Sequence, residues 1–79
     1  MKKLDIVYED KNIIVINKPS NMLTIATTKD KYNNLYRKVS EYVKKQNKKN
    51  KIFIIHRLDK ETSGLVVFAK NRDSKIKLQ

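Results

Sequence analysis

Three short apolar runs restrict what this chain can fold into: Ile13-Ile14-Val15-Ile16, Ile52-Phe53-Ile54-Ile55 and Leu65-Val66-Val67-Phe68-Ala69. They are dominated by β-branched and aromatic residues and are short, so each reads as a strand. In residues 4–8, Leu4, Ile6 and Tyr8 alternate with Asp5 and Val7, as in a strand with one face more buried than the other. Glu9-Asp10-Lys11-Asn12 is polar and turn-prone, which joins this strand to the next as a hairpin. Residues 13–16 are β-branched throughout, the expectation for a strand covered on both faces. Lys18-Pro19 ends it, because proline has no N–H to give to a ladder.

Residues 20–31 lack periodicity and read as a loop, with Met22, Leu23 and Ile25 available to tuck onto the core. A helix near residues 33–46 follows, capped by Asn33 or Asn34, with Leu35, Tyr36, Val39, Tyr42 and Val43 as its apolar stripe. The run KKQNKKNK over residues 44–51 closes that helix and continues as a basic loop. Lysine near a helix carboxyl end complements the dipole, so a purely structural account of the run is adequate. Asp73 or Ser74 could cap a short last helix. The fold class is α+β: a mixed, largely antiparallel sheet with one main helix.

At 79 residues, folding buries only about 60% of the unfolded chain's surface, so the core is thin. The chain has no cysteine, so neither disulfides nor a thiolate metal site can form, and the single histidine, His56, argues against a histidine-built one; no metal is expected. The formal charge is +11, from 19 Lys and Arg against 8 Asp and Glu. Such an excess favours a polyanion, since every phosphate neutralised releases condensed counterions. A solvated lysine-rich surface that maintains solubility is the plainer account. No stretch approaches a membrane helix in length and the start lacks an apolar signal segment, so no membrane partner and a cytoplasmic location are expected.

The chemistry-bearing stretch is His56-Arg57-Leu58-Asp59-Lys60-Glu61-Thr62-Ser63-Gly64-Leu65, a polar segment between two strands. A loop held by a rigid sheet is a common address for active sites. An ionised carboxylate there can act as nucleophile or general base. On residue types alone, a capped, salt-bridged turn is the better account.

The fifteen-residue string HRLDKETSGLVVFAK, however, resembles the signature of the RluA family of RNA pseudouridine synthases, HRLD-x-x-TSGL followed by an apolar strand ending in Ala-Lys. Upstream, Ile6-Val7-Tyr8-Glu9-Asp10 and then Ile13-Ile14-Val15-Ile16-Asn17-Lys18-Pro19 resemble the family's opening hairpin and Asn-Lys-Pro. The family often has Ala-Gly after that proline; Ser20-Asn21 stands here, a departure confined to the turn.

The resemblance implies an amino-terminal part, residues 1–79, of a synthase catalytic domain, incomplete at its carboxyl end. It implies Asp59 as the catalytic group of a cofactor-free isomerisation of uridine, with ribosomal RNA favoured as partner and transfer RNA second. Arg57 inherits the role of filling the space left by a flipped base, and Lys60 is a candidate phosphate contact. His56, Thr62, Ser63 and Gly64 would shape the loop, His56 through an imidazole donor and the two hydroxyls through backbone bonds. Tyr32, Tyr36 and Tyr42 are candidate stacking platforms, although helical spacing favours core packing for the latter two. The family's active-site tyrosine and a basic partner for the aspartate lie in segments not found in residues 1–79, so this chain is expected to be silent alone. Its unfinished sheet edges invite pairing with a second copy. Two other accounts stand beside this one: a non-catalytic basic RNA-binding module, and a small structural α+β protein in which Asp59 only stabilises a turn.

Overall fold

The computed structural model describes residues 4–25 and 33–79. The elements are β1 (Ile6–Glu9), β2 (Ile13–Lys18), α1 (Leu35–Gln46), β3 (Phe53–Ile54), β4 (Gly64–Ala69) and α2 (Arg72–Leu78). The four strands form one sheet in the order β1-β2-β4-β3, and each pairing between them is antiparallel. β2 and β4 are central, in register from Ile13↔Ala69 to Lys18↔Gly64. That register defines two ends of the sheet. One end holds the β1–β2 turn, and the other holds Lys18, Gly64 and the segment that carries Asp59.

Helix α1 covers one face. Its buried Leu35, Val39 and Val43 pack with Ile14, Ile16, Ile52, Val66 and Phe68. Tyr36 meets Phe68 edge to face, with centroids 6.4 Å apart, so the tyrosine is a core residue. Burying one such aliphatic or aromatic side chain contributes about 1.5–3 kcal/mol. The opposite face is only partly covered, by contacts of α2 with β3 and β4. Ile13 and Val15 are accordingly only half-buried, whereas Ile14 and Ile16 are fully buried. The uniform apolar run therefore does not mark a strand covered equally on both faces.

β1 departs from simple alternation for a local reason. A bulge between Ile6 and Tyr8 inserts an extra residue, so that Ile6 pairs with Ile16 but Tyr8 with Val15 and Glu9 with Ile14. The phase of side chains flips at the bulge. Tyr8 moves to the outer face, half-exposed, and Glu9 turns toward the helix. There its carboxylate accepts from Tyr42 Oη (2.9 Å) and Lys70 Nζ (2.8 Å), tying β1, α1 and the end of β4 together.

The Lys70 ammonium bonded to Glu9 holds its carboxyl below the usual glutamate range, against the opposing effect of burial and with help from Tyr42. A carboxyl whose folded pKa is depressed contributes stability above its unfolded value, near 4.3, and loses it as pH falls through the folded value. Glu9→Gln is therefore expected to be about 1 kcal/mol less stable at neutral pH and flatter in its acid response. Thermal melts from pH 7 down to pH 3 measure both, and parallel curves for the two chains would exclude this role for Glu9.

Asn34 caps α1: its side chain accepts from Arg37 N, while Leu35 N and Tyr36 N donate to the carbonyls of Leu23 (2.7 Å) and Thr24 (2.8 Å). These bonds satisfy amides of the helix's first turn. α2 is capped by Asn71, whose side chain accepts from Ser74 N at 2.8 Å, and not by Asp73 or Ser74 as its sequence suggests. Asn71 also reaches Asn12 across the sheet end, an association that local sequence does not display.

Candidate active site

Asp59 opens a tight turn between β3 and β4. Its carbonyl accepts from Thr62 N at 3.1 Å, placing Lys60 and Glu61 at the corner. The residues on either side of Asp59 are both pinned. On one side the Thr24 hydroxyl donates to the Leu58 carbonyl (2.8 Å) and accepts from the Leu58 amide (3.2 Å). On the other, Lys18 Nζ donates to the Lys60 carbonyl at 3.2 Å.

Lys18 is the unusual group here. It is 0% exposed although its side chain carries an ammonium. That ammonium has three N–H donors and three carbonyl acceptors, Pro19 O (3.0 Å), Met22 O (2.7 Å) and Lys60 O (3.2 Å). The turn that leaves β2 is thus stapled to the turn that carries Asp59. Burial pushes the Lys18 pKa below the ordinary lysine value, and the charges of Glu61 and Asp59 oppose that shift. Within the β2 turn, Asn21 adopts φ 62°. Glycine reaches that region freely and asparagine tolerates it better than most residues do, so the departure at Ser20-Asn21 leaves the turn feasible.

The chain enters β4 through Gly64 at φ 147°, a conformation that side-chain-bearing residues rarely adopt. The Leu58 side chain lies beneath it, 3.5 Å from where a Cβ would stand. His56 is exposed, and its Nε2 accepts from the amide of Val67 at 3.2 Å. The ring therefore serves as an acceptor, where a donor was expected, and it occupies a β4 amide just past the short β3. The Thr62 and Ser63 hydroxyls make no hydrogen bond among the described residues, so the backbone of Thr62 and the hydroxyl of Thr24 hold the loop in their place.

Arg57, Asp59 and Lys60 are exposed and line one cleft of about 240 Å³ with Leu23, Thr24, Ile25 and Leu58. Among the described residues, Arg57 forms no ion pair with Asp59 or Glu61. Tyr42 is held by Glu9 at the other end of the sheet, and Tyr32 lies outside the described residues. No three His, Cys, Asp or Glu side chains among the described residues group as a metal site requires. Sequence reading missed Thr24 and undervalued Lys18. Asn-Lys-Pro was visible as a motif, but nothing local signals that its lysine is buried and bonded to the loop of another motif, 42 residues away.

The family model for RNA pseudouridylate synthase matches residues 12–79. An uncharacterized RNA pseudouridine synthase of Mycoplasma genitalium is 42% identical over 77 residues, covering 98% of this chain and 24% of the relative. The ribosomal large subunit pseudouridine synthase D of Buchnera aphidicola is 41% identical over 68 residues, covering 86% of this chain and 22% of the relative. The solved structure of human RNA pseudouridylate synthase domain containing 4 superposes with a TM-score of 0.75 at 30% identity, over 94% of this chain and 27% of that one. The chain thus spans about a quarter of the length of the relatives it matches. On its sequence, its sheet and the loop that carries Asp59, the chain belongs to the RluA family of RNA pseudouridine synthases.

Proposed function

We propose that residues 1–79 supply the carboxylate-bearing part of a synthase that converts uridine in structured RNA to pseudouridine, with Asp59 as its catalytic group. The net reaction breaks the N1–C1′ glycosidic bond, forms C5–C1′, and exchanges the C5 proton for one on N1. Product and substrate have the same composition, so the reaction needs no oxidant, reductant or co-substrate. A uridine in a helix cannot bring C1′ to a protein side chain without leaving its stack, so base flipping is part of the proposal.

The observation that carries the reading is the pinning of both neighbours of Asp59. Thr24 fixes Leu58 and Lys18 fixes Lys60, while Asp59 itself is exposed in a cleft. A carboxylate on a rigid backbone, with no ion pair among the described residues, is prepared for a substrate. Leu23 and Ile25 give the cleft an apolar wall suited to the face of a base. Arg57, without an ion pair among the described residues, is a planar cation able to stack in the vacated space or bind phosphate.

Ribosomal RNA is the favoured substrate, supported by the names of relatives such as the Buchnera enzyme; transfer RNA is second. The test joins residues 1–79 to the remaining three quarters of the Mycoplasma genitalium relative and follows pseudouridine formation in ribosomal RNA. We expect the chimera to be active and the 79-residue chain to be silent by itself, associating through its exposed sheet edges. A folded chimera that modifies no RNA would defeat the catalytic reading. Activity of the isolated chain would defeat its silence, and monomeric sedimentation its association.

A further inference from the structure

The densest positive charge on this chain is not at the Asp59 loop but at the other end of the sheet. Between Glu41 and Asp59 the sequence has no carboxylate, and it has Lys44, Lys45, Lys48, Lys49 and Lys51, each exposed. The hydrogen bond from Tyr42 to Glu9 fixes the carboxyl end of α1 beside the end of β1. The register Ile13↔Ala69↔Phe53 brings the β1–β2 turn, with exposed Lys11, and the entry to β3 to that same end. None of these six lysines makes an ion pair among the described residues. Nearby, Glu9 is paired with Lys70 and Glu41 with Arg37. The Asp10 carboxylate, engaged by Tyr8 and two turn amides, keeps its charge.

Complementing the helix dipole accounts for Lys44 and Lys45, in the last turn of α1, but not for the lysines beyond it. Those sit on a built turn. Asn50 N donates to the Asn47 carbonyl (2.9 Å), Lys49 N to the Asn47 side chain (3.0 Å), and the Asn50 amide group to the Val43 carbonyl (2.8 Å). A backbone fixed in this way presents Lys48 and Lys49 with only side-chain freedom left to lose on binding.

We infer that this lysine-rich end is a docking surface for the backbone of a double-helical segment of the substrate RNA, distinct from the cleft that holds Asp59. Lysine is a hydrated point charge that binds phosphate without reading bases, and a duplex offers phosphates at the highest density. β2 separates the two ends by five residue steps, about 17 Å. A stem flanking a target uridine held in the cleft reaches that distance and brings its paired phosphates to the lysines. The inference rests on the proposal that RNA is the substrate, and it adds a minimum size for that RNA.

The experiment measures binding of the 79-residue chain to a uridine-containing loop carried on a short or a long stem, by fluorescence anisotropy across a salt series. We expect the long stem to bind at least about tenfold more tightly. Lys44, Lys45, Lys48 and Lys49, replaced together by Gln, should erase that preference and flatten the log–log salt dependence by about 2–4, since each duplex phosphate contact contributes about 0.9. All four are exposed, so an unchanged melting curve verifies the fold of the variant. Retention of the stem preference and salt slope by the variant would overturn the inference. Failure of the catalytic reading shows differently: stem binding would persist while the chimera modified no uridine.

Discussion

Asp59→Asn is expected to lower pseudouridine formation by the full-length chimera at least about 10³-fold while leaving fold and RNA binding intact. The substitution preserves shape and removes the charge. Asp59 is exposed and its side chain makes no hydrogen bond among the described residues, so the cost to stability should stay within about 0.5 kcal/mol. That separation distinguishes the three accounts of this loop. An enzyme loses turnover and keeps binding. A non-catalytic RNA-binding module shows no turnover in either form, and a turn-stabilising aspartate shows itself as a shifted melt. Arg57→Lys sharpens the contrast, because it keeps the charge and discards the planar fork. We expect about a tenfold loss of modification from it, and unchanged modification would remove the stacking role of Arg57. Residual activity within tenfold of the unsubstituted chimera in Asp59→Asn would remove Asp59 from the chemistry.

Much of this architecture was legible in the residues because the strong local signals agree with the tertiary result. The β-branched runs became β2, β3 and β4, the stripe from Leu35 to Val43 became the buried side of α1, and proline ended β2. What escaped was set by pairing across the sheet. The bulge that turns Glu9 inward is a property of the β1–β2 register, and the cap at Asn71 gains from Asn12, 59 residues earlier. The same holds at the site. HRLD and Asn-Lys-Pro were visible as separate motifs, and only the Lys18↔Gly64 pairing shows why they occur together. Thr24 lay in a stretch without periodicity, and its 3% exposure arises because one hydroxyl bridges α1's entry segment to Leu58.

Lys18→Met is the substitution that should disturb the site most without touching the cleft. Methionine fills a similar volume but offers no donor, so three carbonyls that now accept from one ammonium would need water at a fully buried position. An unsatisfied buried acceptor costs about 1–3 kcal/mol. Even with partial relief by water, the sum is a large share of the 5–15 kcal/mol available to a typical domain. A fall in melting temperature of at least about 10 °C is expected. Lys18→Arg restores the charge yet introduces a larger, planar head where the ammonium is enclosed, and it should not rescue. At temperatures where the variant chimera stays folded, turnover should still drop about 10²-fold, because the turn carrying Asp59 loses the bond that fixes Lys60 and a displacement of about 1 Å suffices for such a loss. RNA binding through the distant lysines should be unaffected under those conditions. An unchanged melt together with unchanged turnover would show that the two turns hold their places without Lys18, and the physical basis for a preorganised Asp59 would then have to rest on Thr24 alone.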